Sequence, residues 1–236
     1  MPNAPGSRYI YALVGLLVVM FLGEMTMHFT HNTWTRWIVT LIALAATALA
    51  FAAGMRPRDL GLSRGAAAVG ARYAVVIIVV VIAAIAVGLL IPPIRVLFRN
   101  DAYKHLDSAL LSAFVLIPLQ TVIPEELLFR GIITGTLLRR HSARFAIGVQ
   151  AVLFGLWHVV SSTGLSSGNA GIGSVVGGGT AGMLLGILGA VAFTGAAGVV
   201  LGWVRWRTDS LLPSIALHWA ANGAGAVAAA LAWQLS

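Results

Sequence analysis

From Tyr73 to Pro93 the chain reads YAVVIIVVVIAAIAVGLLIPP, with no charged residue and two prolines to end it. At a rise of about 1.5 Å per residue, a helix of that length covers the roughly 30 Å hydrocarbon core of a bilayer. Similar runs lie on either side, at 9–29, 37–55, 106–123, 145–160, 183–204 and 211–232. The segment 124–138 has a helical pattern and is expected to continue the fourth span after a bend at Pro124, since proline removes a helix hydrogen bond. The expected fold is an all-α polytopic transmembrane bundle of about seven or eight helices.

Composition agrees. Of 236 residues, 59% are hydrophobic and 9% charged, and the mean hydropathy is +0.93; soluble domains carry about 45–50% apolar and about 25% charged residues. The net charge of +8 is scattered between apolar runs, so no basic face exists to follow a phosphate backbone, and nucleic acid is not an expected partner. The absence of cysteine excludes disulfides, thiolate metal sites and a cysteine nucleophile. The first apolar run is too long for a cleavable signal peptide and no small-residue cleavage site follows it. No soluble domain fits between the spans, so residues 1–236 are expected to form one integral membrane domain.

Loop charges give an orientation. With 106–138 as one crossing, ten arginines fall on one side (Arg8, Arg56, Arg58, Arg64, Arg72, Arg139, Arg140, Arg144, Arg205, Arg207) and four cations on the other (Arg36, Arg95, Arg99, Lys104). The richer side is expected to be cytoplasmic, with the N-terminus inside. The Gly/Ser-rich stretch 161–182 is expected to be a flexible loop on the opposite side. Glycines 182, 186, 195, 198 and 202 recur at a spacing that lets helix backbones approach closely. Trp34, Trp37, Trp203, Trp206 and Trp233 sit mainly at span ends, as an aromatic belt does.

The placement of ionisable groups points to chemistry. Every Asp lies in a loop or at a span end, whereas Glu24, Glu125 and Glu126 lie within apolar segments, as do His158 and His218. Such groups cost at least about 2.5–3.5 kcal/mol at the bilayer centre and are usually paired and functional. In Glu125-Glu126-Leu127-Leu128-Phe129-Arg130, residues four apart share a helix face, so Glu126 pairs with Arg130. Glu125 is turned about 100° away and left free to act as a base. His218 and Asn222 are also four apart and point into one groove, where imidazole and amide N–H groups resemble oxyanion donors. Counted from the nearest Arg-rich loop, Glu125, His158 and Asn222 lie at about 20, 21 and 17 Å and His218 at about 11 Å. Three helices thus bring polar groups to a similar level. Glu24, with His28 and His31 further along, reads as a polar stripe running to the interface.

Glu125-Glu126-xxx-Arg130, Phe154-xxx-His158 and His218-xxx-Asn222, in that order and inside spans, resemble the EExxxR, FxxxH and HxxxN motifs of the CAAX-protease and bacteriocin-processing family of intramembrane proteases, also called Abi or type II CAAX prenyl endopeptidases. The resemblance covers about residues 106–236, the expected catalytic core. The Arg56–Leu62 loop also has the look of bacterial members. The resemblance implies hydrolysis of a membrane-associated protein or peptide in a cavity open to the cytoplasm, within what is expected to be a bacterial plasma membrane. It implies that Glu125 with His158 activates water, that His218 with Asn222 stabilises the oxyanion, and that Glu126 and Arg130 hold the geometry. No cofactor is expected. The family has long been described as metalloproteases, however, and Glu125, His158 and His218 could ligate zinc. The HExxH helix is absent, and Arg130 beside Glu126 would oppose a cation. Three other readings compete: a rhomboid-type serine protease using Ser166 or Ser167, a non-catalytic immunity or scaffold protein of the same fold, and a transporter with a carboxylate proton relay.

Overall fold

The computed structural model describes residues 5–30 and 32–235, with side chains from Tyr9 onward except at positions 31, 166, 167, 170 and 171. His31 and the side chains of Arg8, Ser166 and Ser167 lie outside the described residues. Among the described residues, seven helices are long and apolar enough to cross a membrane: α1 (Tyr9–Thr30), α2 (Thr35–Ala52), α3 (Arg64–Leu90), α4 (Leu106–Leu138), α5 (Ala143–Ser161), α6 (Gly179–Thr208) and α7 (Leu212–Gln234). Among the described residues the only extended pairing is a single antiparallel bridge between Leu62 and Ser210. The protein is an all-α polytopic bundle.

Helix α4 runs unbroken through Pro118 and Pro124 in place of an end or a new span. The lost proline N–H groups are absorbed by wide π-helical turns at Ser112–Leu116, Pro118–Val122 and Glu126–Ile133, an arrangement that often marks functional sites. At about 1.5 Å per residue its 33 residues extend to about 50 Å, more than the bilayer core, so the helix must tilt or protrude. A fourth π-helical turn, Ala220–Ala224, interrupts α7 just beyond His218.

The core sits where α4 meets α2, α5 and α7. Leu128, Phe129, Ile132 and Ile133 of α4 pack with Met20 of α1, Ala43 of α2 and Phe154 of α5. Helices α5 and α6 approach closely through the expected glycines: a Cβ on Gly198 would stand 2.9 Å from the Ala151 Cα, and the Gln150 side chain donates to the Gly198 carbonyl at 2.6 Å. In contrast, Val75, Val76, Val79 and Val80 of α3 are exposed.

The Arg-rich ends gather on one face. Tyr9 Oη meets His141 Nε2 at 3.0 Å, and the Leu211 N–H donates to the Gly61 carbonyl at 2.9 Å. At the other end, Thr163 meets His28 at 3.5 Å and Arg95 donates to the Leu235 carbonyl. The stretch 161–182 departs from the expected loop. It holds two short helices, Leu165–Gly168 and Ala170–Val176, before α6 begins. Asn169 caps the second by accepting from the Ile172 N–H at 2.9 Å, a role that Asn fills well.

Candidate active site

Glu126 and Arg130 are fully buried and joined at 3.0 Å, the i,i+4 pair that the sequence implies. Burying such a pair is costly unless further hydrogen bonds satisfy it. The same oxygen, Glu126 Oε1, also accepts from His218 Nδ1 at 2.9 Å. Because the acceptor is a carboxylate, that ring nitrogen carries the hydrogen, and Nε2 is turned toward Glu125. Arg130 is further held over the Phe154 ring, 3.9 Å from its centroid, a favourable cation–π placement.

Glu125 is differently engaged. Its Oε1 accepts from the Trp157 indole N–H at 3.1 Å. Its Oε2 is buried with no hydrogen-bond partner and faces His218 Nε2 across 3.9 Å. A buried polar atom without a protein partner calls for water or a ligand group. Each carboxylate has a buried Oε2 with no hydrogen-bond partner, but the two are divided in role. Glu126 Oε1 is committed to Arg130 and His218, whereas Glu125 is held by Trp157 alone and turns its Oε2 toward His218 Nε2.

His158 is half-buried and bonds the Phe154 carbonyl through Nδ1 at 2.8 Å. It makes no ion pair with Glu125 within 4 Å. It stands against the Phe154 ring, edge to face at 4.7 Å, and the same ring meets His218 at 5.8 Å. Phe154 thus separates and orients the two imidazoles. Asn222, one turn beyond His218, is exposed and makes no side-chain hydrogen bond among the described residues. Glu125, Glu126, Arg130 and His218 are therefore brought together, His158 adjoins them through Phe154, and Asn222 stands at the edge. No group of three among the described Glu, Asp and His residues has metal-ligating geometry, so Glu125, His158 and His218 as arranged do not fit a zinc ion.

Two participants are not evident from the motifs. Trp157 holds the Glu125 carboxylate, and its only sequence signal is its position beside His158, away from the span ends. Arg205, counted above as a loop cation, is 1% exposed within α6. Its guanidinium donates to the Asp59 carbonyl at 3.0 Å and to Asp209 at 3.2 Å. Gly61, at φ +74°, leaves room for that side chain where a Cβ would collide with it. Arg205 thereby straps the 56–62 turn to the start of α7, the helix that carries His218. Asp209 four residues on is the signal that could have revealed it.

A family model described as type II CAAX prenyl endopeptidase Rce1-like matches residues 107–224, from the start of α4 through the π-helical turn of α7. No curated protein and no solved structure matches the chain.

Proposed function

The chain belongs to the Rce1-like type II CAAX prenyl endopeptidase family, and on that premise we propose that it hydrolyses a peptide bond with Glu125 as the general base. The family and the seven apolar helices make it an integral membrane protein of protease kind, working on membrane-associated peptides. The observation that carries the finer reading is the uncommitted Glu125 Oε2, buried and facing His218 Nε2 across 3.9 Å. A water between these two acceptors would donate a hydrogen to each and turn its lone pair toward a substrate carbonyl.

As the water oxygen bonds to the carbonyl carbon, its proton passes to Glu125. The C–N bond then breaks and Glu125 delivers that proton to the leaving nitrogen, a general acid–base cycle. His218 is kept in place by Glu126, as a buried carboxylate orients the imidazole of a hydrolase triad. The Asn222 amide is the donor available to the developing oxyanion from the pocket edge. His158 lines the pocket across Phe154, ready to close on the water once a peptide is bound; such hydrogen bonds often tighten only in the complex. The pairing of water with Glu125 and His218 departs from the Glu125–His158 pairing that the resemblance implies. No step is routed through a metal.

His218 lies about 9 Å from the start of α7 on the Arg-rich face. This supports a cavity that opens to that side, which the positive-inside rule makes cytoplasmic. The test uses purified protein in vesicles with a membrane-anchored peptide reporter. Glu125→Gln is expected to lower kcat by about 10²–10⁴ with insertion and monodispersity unchanged. Wild-type turnover in that variant overturns the assignment.

A further inference from the structure

The wide turns of α4 leave one carbonyl without a donor of its own helix, and α7 supplies one. Across Ser112–Leu116 the Ile117 N–H donates to the Ser112 carbonyl, five residues back. In that register the donor due to Ala113 is residue 118, a proline, which has no N–H. Ala113 is fully buried, and its carbonyl accepts instead from Trp219 Nε1 at 2.8 Å.

The surroundings make this bond hard to replace. It lies on the wall of an apolar cavity of about 240 Å³ between α3, α4 and α7, which Ile82, Phe114 and Gly223 also line. Ile82 and Phe114 are exposed on the flank of the bundle, where the neighbour is hydrocarbon rather than water. A carbonyl stranded there finds no substitute donor. Gly223 gives the indole its room: a Cβ at that position would stand 2.8 Å from Nε1 and 3.2 Å from the Ala113 oxygen.

The place of the bond ties it to the site. Trp219 follows His218 directly, about 100° further round α7. His218 holds Glu126 at 2.9 Å, while Trp219 holds Ala113, thirteen residues earlier on α4. One such bond would leave α7 free to turn about it. Two, from adjacent residues on different faces, fix its rotation and its height. His218 Nε2 is thereby set 3.9 Å from Glu125 Oε2, and the π-helical turn carrying Asn222 begins at the next residue, Ala220.

We propose that Trp219 is a positioning residue: by taking the carbonyl that Pro118 leaves without a donor, it fixes the rotation of α7 that aims His218 at Glu125 and sets Asn222 at the pocket edge. Its kinetic consequence rests on the hydrolytic reading above. Satisfying the carbonyl and holding α7 are separable roles. Pro118→Ala restores an N–H to α4, and a carbonyl can accept from that N–H and the indole together.

The test places Trp219→Phe in the wild-type and in the Pro118→Ala background, with full-length protein. In the wild-type background Tm is expected to fall by roughly 2–10 °C, and kcat by roughly tenfold to a hundredfold with KM unchanged. In the Pro118→Ala background most of the Tm loss disappears, because the carbonyl is no longer stranded, whereas the factor lost in kcat stays the same. Gly223→Ala, which keeps both partners but crowds the indole, is expected to reproduce the fall in kcat. An equal Tm loss in both backgrounds overturns the proposal, since the indole would then only fill space. A kcat that recovers together with Tm, or that never falls in either variant, also overturns it, since Trp219 would then be structural alone. The melting arm requires no cleavage, so its failure is distinct from that of the hydrolytic reading.

Discussion

Helices α3 and α7 are both spans, yet they do opposite work. Over its most apolar window α3 is 11% buried within the protein and α7 is 50% buried, although α3 is the more apolar of the two. In water that order would be reversed. In a bilayer the lipid is as apolar as a protein core, so valine gains little by moving inward, while Glu, Arg and His gain a great deal. The interior is therefore assembled around the polar groups of α4 and α7 and the small residues beside them, and the hydrophobic helices are left outside.

Substitutions at the two ends of this comparison should differ steeply. The largest effect on folding is expected at Arg130. Arg130→Met strands the Glu126 charge and should cost about 3–5 kcal/mol, read as loss of thermal stability in detergent; an unchanged melting temperature would mean that the pair contributes nothing to the core. Asn222→Ala should lower kcat by roughly 10²–10³ if its amide meets the oxyanion, and a change confined to KM would move it out of that role. Gly198→Val forces a side chain into Ala151 and should cost about 1–3 kcal/mol, measured by the same melt. Val79→Ala on α3 should stay within about 0.5 kcal/mol; a loss as large as that at Gly198 would show that α3 is packed rather than bathed in lipid. The smallest effect is none at all. Activity of metal-stripped protein in a strong chelator is expected to be complete, and a loss that added zinc restores would revive the metal mechanism.

Much of the site is visible in one dimension because helical spacing is short-range. Glu126 and Arg130 are four apart, and that alone brings them to 3.0 Å. The contact of His218 with Glu126 is not visible in this way. Depth counting sets His218 about 9 Å shallower than Glu125, yet the tilt available to a helix as long as α4 lets the side chains meet. Trp157 and Phe154 look like ordinary apolar-face aromatics until α5 is seen against α4, where one holds the Glu125 carboxylate and the other lies between two imidazoles. Arg205 looked like a positive-inside loop residue because its charge is read from sequence and its burial is not. The helices within 161–182 went unseen because Gly and Ser carry no apolar period, and the cap at Asn169 is a local hydrogen bond.

By itself, then, the sequence determined that this chain spans a membrane, which segments cross it, which end of each span carries the arginines, and that Glu126 faces Arg130. All of these depend on chain length, hydropathy and spacing along a single helix. Only the tertiary structure decided that Glu125 keeps a free oxygen opposite His218, that Trp157 donates to its other oxygen, and that Asn222 stands at the margin. Those outcomes depend on the tilt and rotation of one helix against another, which packing between surfaces sets and no local pattern encodes.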